Sequence, residues 1–404
     1  MSKDRGNQRL IPTIRFKGFT DDWEQRKLEN LATHRGGTAI EKYFDQNGKY
    51  KVISIGSYGL DSQYIDQGIR ALSNGITDTR VVRKGELTMV LNDKTSNGTI
   101  IGRSLLINTD GEFVINQRTE IISPKANLDS NFAYVMLNGP FREKVKKIVQ
   151  GGTQIYVNYP AVEKLTLSLP QTDEQKKIGS FFKSLDGTIA LHQRKYENLQ
   201  AVKKELLKRM FASDKKPVPD FRFNGYTNDW EQRKLGDIAV ITFGQSPDGK
   251  NYTDNPNDHI LVQGNADIKD GHVVPRVWTK QVTKSALPGD LIFSVRAPVG
   301  DVGMTDFPVV LGRGVAGFKA NQFVFFLLEK LKLEGYWTRY SSGSTFESVN
   351  SKDVKTAPVL SPSTIEQEQI GAFIAVINDT IALHQRKLED LKQLKKVLLQ
   401  KLFV

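Results

Sequence analysis

Apolar residues recur at alternating steps of three and four over two long stretches of the chain. The steps run from Ile178 to Met210 in the first stretch and from Ile370 to Leu402 in the second. This spacing places apolar side chains along one seam of a helix, as in a coiled coil. The seam residues that we single out are Ile178, Leu185, Ile189, His192, Ile370, Ile377, Ile381 and His384.

The starts of both stretches carry the same local signal. A Thr-x-x-Gln sequence, typical of a capping box, begins at Thr172 and again at Thr364. The pattern therefore predicts long helices over residues 174–211 and 366–403. Neither helix can bury its seam alone, so we expect the two helices to pack on each other in antiparallel fashion.

Full antiparallel overlap makes a specific prediction about the seam histidines. It would place His192 beside Leu388 and Tyr196 beside His384. We interpret both histidines as buried polar residues that fix the register of the helices, because none of the chain's histidines has metal-ligand spacing.

The long stretches belong to an internal repeat. Residues 189–199 recur as residues 381–391, an offset of 381 − 189 = 192. A second passage, residues 14–28, recurs as residues 221–235 at an offset of 221 − 14 = 207. The ends of the repeat match and the middles diverge, which predicts a shared scaffold that carries two differently specialised modules.

The divergent middles contain short apolar runs separated by Gly, Asn and Asp, a pattern typical of strands and turns. One helix is predicted within each module, at residues 130–149 and around residues 322–333. The predicted fold class is α+β, with two β-rich modules joined by long antiparallel coiled-coil helices in a pseudo-twofold repeat. We assign residues 1–13 to a flexible tail, 14–169 to the first module, 170–212 to the first helix, 213–220 to a linker, 221–361 to the second module and 362–404 to the second helix.

Composition narrows the function classes. The formal net charge is +12, which points to a polyanionic partner, most often nucleic acid. The absence of cysteine excludes disulfides, thiolate metal sites and cysteine nucleophiles. No apolar run reaches membrane-spanning length, and residues 1–9 are polar, so we expect a cytoplasmic protein.

Candidate catalytic chemistry is not found. The stretch from Gly244 to Asn251 approaches a phosphate-binding loop, but Asn251 stands where Ser or Thr must hold magnesium. No nucleophile elbow or acid pair stands out. We therefore expect no catalytic residue and no metal site in this chain.

Polar side chains in glycine-rich loops of the modules are candidate contacts to DNA bases. Arg, Lys and Gln can form paired hydrogen bonds or ionic contacts with bases and phosphates. Two glycine-rich turns at offset 192 join this set. The candidate DNA-binding residues are Lys94, Arg103, Gln117, Arg118, Gly151, Gly152, Thr153, Arg296, Arg313, Gly343, Ser344 and Thr345.

This plan of variable module, helix, variable module and helix resembles the specificity subunit of type I restriction–modification systems. The most specific matches are the stretches 170–178 and 362–370, in which a proline precedes Glu-Gln and isoleucine, and residues 19–28 with their repeat. The resemblance covers nearly the whole chain.

The resemblance implies a non-catalytic DNA reader whose two target-recognition domains each bind one half of a bipartite site. It also implies two modification subunits, which methylate adenine, and nuclease–translocase restriction subunits as partners. S-adenosylmethionine, ATP and magnesium are expected on those partners, with no cofactor bound by this chain. The alternatives are an unrecognised nuclease, or a coiled-coil adaptor that binds no nucleic acid.

Overall fold

The computed structural model describes residues 10–213, 216–340 and 348–404. The chain forms two compact units. Unit 1 contains the described residues up to Leu191 together with Leu388–Val404, and unit 2 contains the described residues of His192–Lys387. Both units mix helices and strands, so the predicted α+β class is confirmed.

Unit 1 is built from short strands and short helices that precede the first long helix. Its helices are α1 (Leu28–Leu31), α2 (Ser130–Asn138), α3 (Pro140–Lys146) and α4 (Tyr159–Val162). Its strands are β1 (Glu24–Lys27), β2 (Ala32–Gly36), β3 (Tyr50–Ile53), β4 (Arg70–Ala71), β5 (Val81–Val82), β6 (Leu87–Val90), β7 (Asn92–Asp93), β8 (Ser104–Leu106), β9 (Phe113–Ile115), β10 (Thr119–Pro124), β11 (Gln150–Gly151), β12 (Ile155–Tyr156) and β13 (Thr166–Leu169).

The first long helix, α5 (Thr172–Arg209), leads from unit 1 into unit 2, and α9 (Thr364–Lys401) follows the strands of unit 2. The shorter helices of unit 2 are α6 (Leu235–Ile238), α7 (Gln322–Leu333) and α8 (Ser351–Lys355). Its strands are β14 (Glu231–Lys234), β15 (Val240–Phe243), β16 (Tyr252–Thr253), β17 (His259–Val262), β18 (Ile268–Lys269), β19 (His272–Val273), β20 (Trp278–Thr279), β21 (Ser285–Ala286), β22 (Leu291–Ser294), β23 (Val302–Met304), β24 (Val309–Leu311), β25 (Val315–Lys319) and β26 (Pro358–Ser361).

The units repeat the same strand topology although their middle sequences diverge. The order β2-β10-β6-β8 in unit 1 corresponds to β15-β25-β22-β23 in unit 2. A second sheet, β4-β3-β9-β5, corresponds to β20-β17-β24-β21, with a parallel pair at its centre in both units. The repeat predicted from the matching ends therefore extends through the divergent middles.

The long helices lie within two residues of their predicted bounds at either end, and each contains 38 residues. The predicted capping role of Thr172 and Thr364 is wrong, because both residues already lie within the helices instead of preceding them. The amide group of Gln175 instead donates to the Pro170 carbonyl at 2.8 Å and accepts from the Asp129 amide at 3.0 Å. Gln175 thus ties α5 to the preceding strand and to the start of α2.

Within each unit, the parts of α5 and α9 that belong to it run antiparallel, as predicted. In unit 1, the Lys395 ammonium lies 2.6 Å from the Asp186 carboxylate. In unit 2, Lys203 donates to Asn378 at 2.7 Å and to Glu329 at 2.9 Å. The ring of Phe182 also packs on Phe403 in unit 1, and His192 contacts His384 in unit 2. In each unit, residues further along α5 therefore contact residues that come earlier in the C-terminal segment, which fixes the antiparallel direction.

The matching ends of the repeat form the same buried arginine–glutamate pair at the start of the long helix in both units. Arg15 donates two hydrogen bonds of 2.8 Å to Glu174, and Arg222 pairs with Glu366 in the same way. Both carboxylates are 1% exposed. These bidentate pairs join the chain segment before the first strand to the first turn of each long helix.

Aromatic clusters complete both supports. Trp23 and Phe132 pack against Phe403 in unit 1, with ring centroids 6.0 and 5.7 Å from that phenyl ring. In unit 2, Trp230 and Phe323 surround the ring of Phe211 in the same arrangement. The C-terminal end of α9 is therefore anchored in the core of unit 1, where α5 begins. The C-terminal end of α5 is anchored in the core of unit 2, where α9 begins.

Glycine allows the long helices to approach the module helices closely. A Cβ atom on Gly179 would lie 2.7 Å from the Phe132 amide nitrogen, at the start of α2. A Cβ atom on Gly371 would lie 2.8 Å from the Phe323 amide nitrogen, at the start of α7. Only glycine permits this contact without a shift of backbone.

The module helices differ in how well the sequence predicts them. The prediction of a helix at residues 322–333 is confirmed by α7. The prediction of a single helix over residues 130–149 is wrong, because α2 ends before Gly139 and a second helix, α3, begins at Pro140. Proline at the first turn of α3 has no amide hydrogen to continue α2, and its ring excludes the preceding helical backbone.

The predicted N-terminal tail is tied to unit 1 at Leu10. Residues 1–9 of that tail lie outside the described residues, but the Leu10 carbonyl accepts a hydrogen bond of 2.9 Å from the Trp23 amide.

Within the described parts of the chain, none of the helices combines the length and apolar character that a bilayer crossing requires.

Candidate nucleic-acid interface

A cleft of about 570 Å³ lies in unit 1 where the central strands β6 and β10 meet their loops. Three predicted contact residues, Lys94, Gln117 and Arg118, line it. The other lining residues are Glu41, Ser54, Ile55, Gly56, Gln67, Ile69, Asn92, Asp93, Asn116 and Gln154.

Arg118 occupies an unusual backbone position at this cleft. Its φ is +68°, in the left-handed region that residues with a Cβ atom adopt rarely. The Arg118 carbonyl accepts a hydrogen bond of 2.9 Å from Leu91, and its guanidinium donates to Asn92 at 3.3 Å. The turn thus holds an exposed guanidinium at the cleft, where local strain often marks function.

Gln117 is held by a carboxylate. Its amide nitrogen and that of Asn116 both donate to the same oxygen of Glu41, at 2.9 and 3.0 Å. The hydrogen bond from Asn116, then one from the Glu41 backbone amide, lower the pKa of Glu41 despite some burial, and the hydrogen bond from Gln117 adds to this effect. Glu41 is therefore ionised at neutral pH and acts only as a hydrogen-bond acceptor.

Lys94 and the predicted glycine-rich turn lie around one small sheet. Strand β12 pairs with both β11 and β7, so the hairpin carrying Gly151, Gly152 and Thr153 is joined to the strand before Lys94. All of these predicted residues are exposed. The arrangement brings a lysine and an exposed turn to the same small sheet.

Asp93 fixes this sheet rather than facing solvent. It is 3% exposed and accepts hydrogen bonds from the Thr95 and Ile100 amides. Burial alone would raise the pKa of Asp93, but the hydrogen bonds outweigh burial and the pKa is lowered. Asp93 therefore stays ionised and shapes the loop that presents Lys94.

Arg103 is not among the lining residues of the cleft. Its guanidinium donates to the Thr99 carbonyl at 2.8 Å and to Ser62 at 3.0 Å. Burial lowers the pKa of Arg103. These bonds engage the side chain within unit 1, and its role in DNA binding stays a prediction.

In unit 2, Arg296 and Arg313 lie where the strands that correspond to β6 and β10 meet their loops. The Val295 amide donates to Gly314 at 2.9 Å, as Leu91 does to Arg118. Arg296 also forms a bridge with Ser348, as Asn92 pairs with Tyr156 in unit 1. Both arginines are exposed, and the Arg313 amide donates to Ser246 at 3.1 Å. The divergent modules thus present basic side chains from the same part of one topology.

The remaining predicted contacts, Gly343, Ser344 and Thr345, lie outside the described residues. The seam residues are all buried or half-buried: Ile178, Leu185, Ile189, His192, Ile370, Ile377, Ile381 and His384.

The seam histidines contact each other. The Nδ1 atoms of His192 and His384 lie 2.9 Å apart, so one ring donates and the other accepts. His192 therefore contacts the equivalent histidine of the repeat. The predicted places of His192 beside Leu388 and of Tyr196 beside His384 stay predictions. In the parts of the chain that the structure describes, no group of three histidine, aspartate or glutamate residues is placed to hold a metal.

Sequence reasoning missed Glu41, Gln67 and Gln154 at the unit 1 cleft. Glu41 lies 117 − 41 = 76 residues before Gln117, and no local pattern connects them.

Comparison with known proteins gives a consistent result. The family model of the type I restriction modification DNA specificity domain matches residues 20–201 and 227–393, which together are most of the chain. Over 394 residues the chain is 25% identical to a putative type I restriction enzyme MjaX specificity subunit of Methanocaldococcus jannaschii, with 93% of this chain and 91% of that protein covered. A 195-residue part, 46% of this chain, is 25% identical to the MjaVIII specificity subunit of the same organism and covers 45% of it.

Solved structures share the fold. The S subunit of a type I restriction–modification system from M. genitalium aligns with a TM-score of 0.71 and 15% identity, over 98% of this chain and 99% of that chain. A chain from a structure of complex assembly in the type I system aligns with a TM-score of 0.53 and 20% identity, over 94% and 97% of the two chains. The matched family domains, which span both units, place the chain in the type I restriction–modification DNA specificity family, as a non-catalytic specificity subunit that works with DNA and the other components of such a system.

Proposed function

We propose that each unit of this specificity subunit reads one half of a bipartite DNA site. The observation that carries the proposal is the repeated placement of exposed basic side chains at the junction of the central strands, with Arg118 in unit 1 and Arg296 and Arg313 in unit 2. These places lie in the divergent middles of the repeat, as two readers of different bases require.

The cleft of unit 1 offers both kinds of contact that a DNA reader needs. Lys94 is exposed and suited to phosphate, which contributes affinity without sequence information. Arg118 and Gln117 carry the planar groups that pair with guanine and adenine edges in the major groove. We assign positioning to Lys94 and base reading to Gln117 and Arg118.

The long helices are proposed to dock the modification subunits. Their seams are covered, yet large apolar side chains at equivalent positions of the repeat remain exposed. Leu191 is 51% and Leu383 is 65% exposed, and Phe181 and Phe373 are 36% and 38% exposed. Exposed apolar residues that recur at offset 192 fit two copies of one partner, each bound in the same way.

Adenine methylation and DNA cleavage belong to those partner subunits in this proposal, together with S-adenosylmethionine, ATP and magnesium. The proposed role of this chain is to select the DNA and to hold the modification subunits on it.

The test is the assembled complex with modification subunits, acting on DNA that carries randomised sequence. Arg118→Ala should relax one position of one half-site, at a cost of about 1–3 kcal/mol in discrimination. Arg313→Ala should relax a position of the other half-site only. The proposal fails if both variants alter the same half-site, or if neither alters the methylated sequences.

Docking is tested separately by co-purification. Leu191→Asp and Leu383→Asp, alone and together, should remove one and two modification subunits from the complex. Lys84→Asp, on an exposed turn of unit 1, is the control that should leave the composition unchanged.

A further inference from the structure

Glu41 is an unexpected residue at a surface proposed to bind DNA. A carboxylate repels phosphate, yet Glu41 lines the same cleft as Lys94 and Arg118. Its lowered pKa keeps the negative charge in place at neutral pH. Because hydrogen bonds hold this negative charge at the cleft, we expect a role in binding and not only in solubility.

The hydrogen bonds of Glu41 determine how Gln117 is presented. Because an ionised carboxylate can only accept, the amide nitrogen of Gln117 must face Glu41 at 2.9 Å. The amide oxygen and the second N–H then remain for other partners, in a fixed order. Gln117 is itself exposed, so these groups are available to a ligand in the cleft.

Asn116 makes this arrangement rigid. It is 7% exposed, and its amide oxygen accepts hydrogen bonds from the Ile40 and Gln117 backbone amides at 3.2 and 2.8 Å. Its amide nitrogen donates to the same Glu41 oxygen at 3.0 Å. The buried Asn116 therefore connects the backbone on both sides to the carboxylate, and Glu41 cannot turn away without breaking these bonds.

We propose that Glu41 is a positioning residue for base recognition, which orders Gln117 to read an adenine and excludes guanine at the same position of the half-site. Adenine presents an N6 donor beside an N7 acceptor, which matches the free oxygen and N–H of an ordered glutamine amide. Guanine presents O6 and N7, both acceptors, which a neighbouring carboxylate repels.

Unit 2 supplies a natural comparison. The short 3-10 helix Glu41–Tyr43 of unit 1 corresponds to Gly249–Asn251 of unit 2, so Gly249 stands where unit 1 has Glu41. The nearest carboxylate in the chain, that of Asp248, lies 3.4 Å from the ammonium of Lys250. Arg313 is held by the Ser246 hydroxyl instead. The two units thus differ in the group beside their base-reading loops, and the proposed effect of Glu41 is confined to unit 1.

The inference rests on the proposed function and is tested in the same complex. Modification subunits assembled with wild type, Glu41→Ala, Glu41→Gln and Gln117→Ala would methylate a library of randomised duplexes. Glu41→Ala should lower the preference for adenine over guanine by at least about fivefold at one position of the unit 1 half-site. Gln117→Ala should relax the same position.

Glu41→Gln separates the two effects of the carboxylate. A glutamine oxygen can still accept from Asn116 and Gln117, so adenine reading should persist, while guanine is tolerated better because the charge is gone. Asp248→Ala removes a carboxylate from the corresponding loop of unit 2, and this control should leave the unit 1 half-site unchanged. If Glu41→Ala unfolds the loop and lowers Tm, Glu41→Gln decides the question.

The inference is overturned if both Glu41 variants keep the wild-type preference at every position of the unit 1 half-site, or if they alter only the other half-site. That failure differs from failure of the proposed function. If only the role of Glu41 is wrong, Arg118→Ala still relaxes the unit 1 half-site. If the proposed function is wrong, Arg118→Ala does not relax it.

Discussion

His192 and His384 share one hydrogen bond through Nδ1 atoms that are 2.9 Å apart. The residues are equivalent in the repeat, since 384 − 192 = 192 is the offset of the long helices. The bond needs at least one neutral ring as acceptor, so the contact between the helices within unit 2 depends on proton concentration.

This pair predicts a loss of stability in mild acid. Partial burial, and then the positive charges of His384, Lys195 and Lys387, lower the pKa of His192. A lowered pKa in the folded state means that the stabilisation is complete above the unfolded value of about 6.5 and is lost as pH falls through the folded value. The Tm of wild type should therefore fall between about pH 7.5 and 5.5 more than that of His192→Gln/His384→Gln. If Tm fell equally with pH in wild type and in the double variant, this account would be contradicted.

The bidentate pairs at the starts of the long helices should contribute strongly to stability. Arg15→Ala would leave the carboxylate of Glu174, 1% exposed, without its partner, at a cost of about 3–5 kcal/mol. Arg26→Ala is the control, because its pair with Glu24 is solvent-exposed and contributes at most about 1 kcal/mol. Urea unfolding of the two variants measures the difference, and similar losses would show that burial of Glu174 does not matter.

Two glycines of α5 should respond in opposite directions to alanine. No neighbouring atom lies within 4 Å of the place that a Cβ would occupy on Gly187, so Gly187→Ala should stabilise the helix by about 0.8–1 kcal/mol. Gly179→Ala gains the same propensity but forces the Phe132 backbone away, with a net loss of about 1 kcal/mol. Thermal unfolding distinguishes them, and stabilisation by both substitutions would refute the close contact with α2.

Lys94 should contribute to DNA affinity through phosphate. Lys94→Ala should weaken binding equally for target and unrelated duplexes, and reduce the slope of log K against log salt by about 0.9. Lys84→Ala, on an exposed turn that does not line the cleft, should leave the slope unchanged. A changed sequence preference with an unchanged slope would mean that Lys94 contacts bases instead.

The parts of this fold that depend on local periodicity and on the repeat are predictable from the sequence. The helices α5 and α9 follow from regular spacing of apolar residues, and α7 from one apolar run. The break at Gly139 is signalled only by Pro140, and the apolar pattern that continues on both sides of it conceals that signal.

The candidate site is less accessible to sequence analysis, because its contacts join distant loops. Lys94, Gln117 and Arg118 are identifiable by residue type, but their common cleft depends on the pairing of β6 with β10. Glu41 carries no motif, and its role depends on hydrogen bonds to a turn that begins 116 − 41 = 75 residues away in the chain. The direct contact of the seam histidines likewise depends on side-chain reach, which the heptad pattern does not specify.

The anchoring of Phe403 beside Trp23 has a consequence for synthesis of the chain on the ribosome. The segment Leu388–Val404 completes unit 1, although the 387 − 192 + 1 = 196 residues of unit 2 are translated before it. The nascent first module must therefore wait with an incomplete core, and part of its apolar surface stays open to chaperones. Unit 2 has no such delay, because Phe211 is made before the module that it supports.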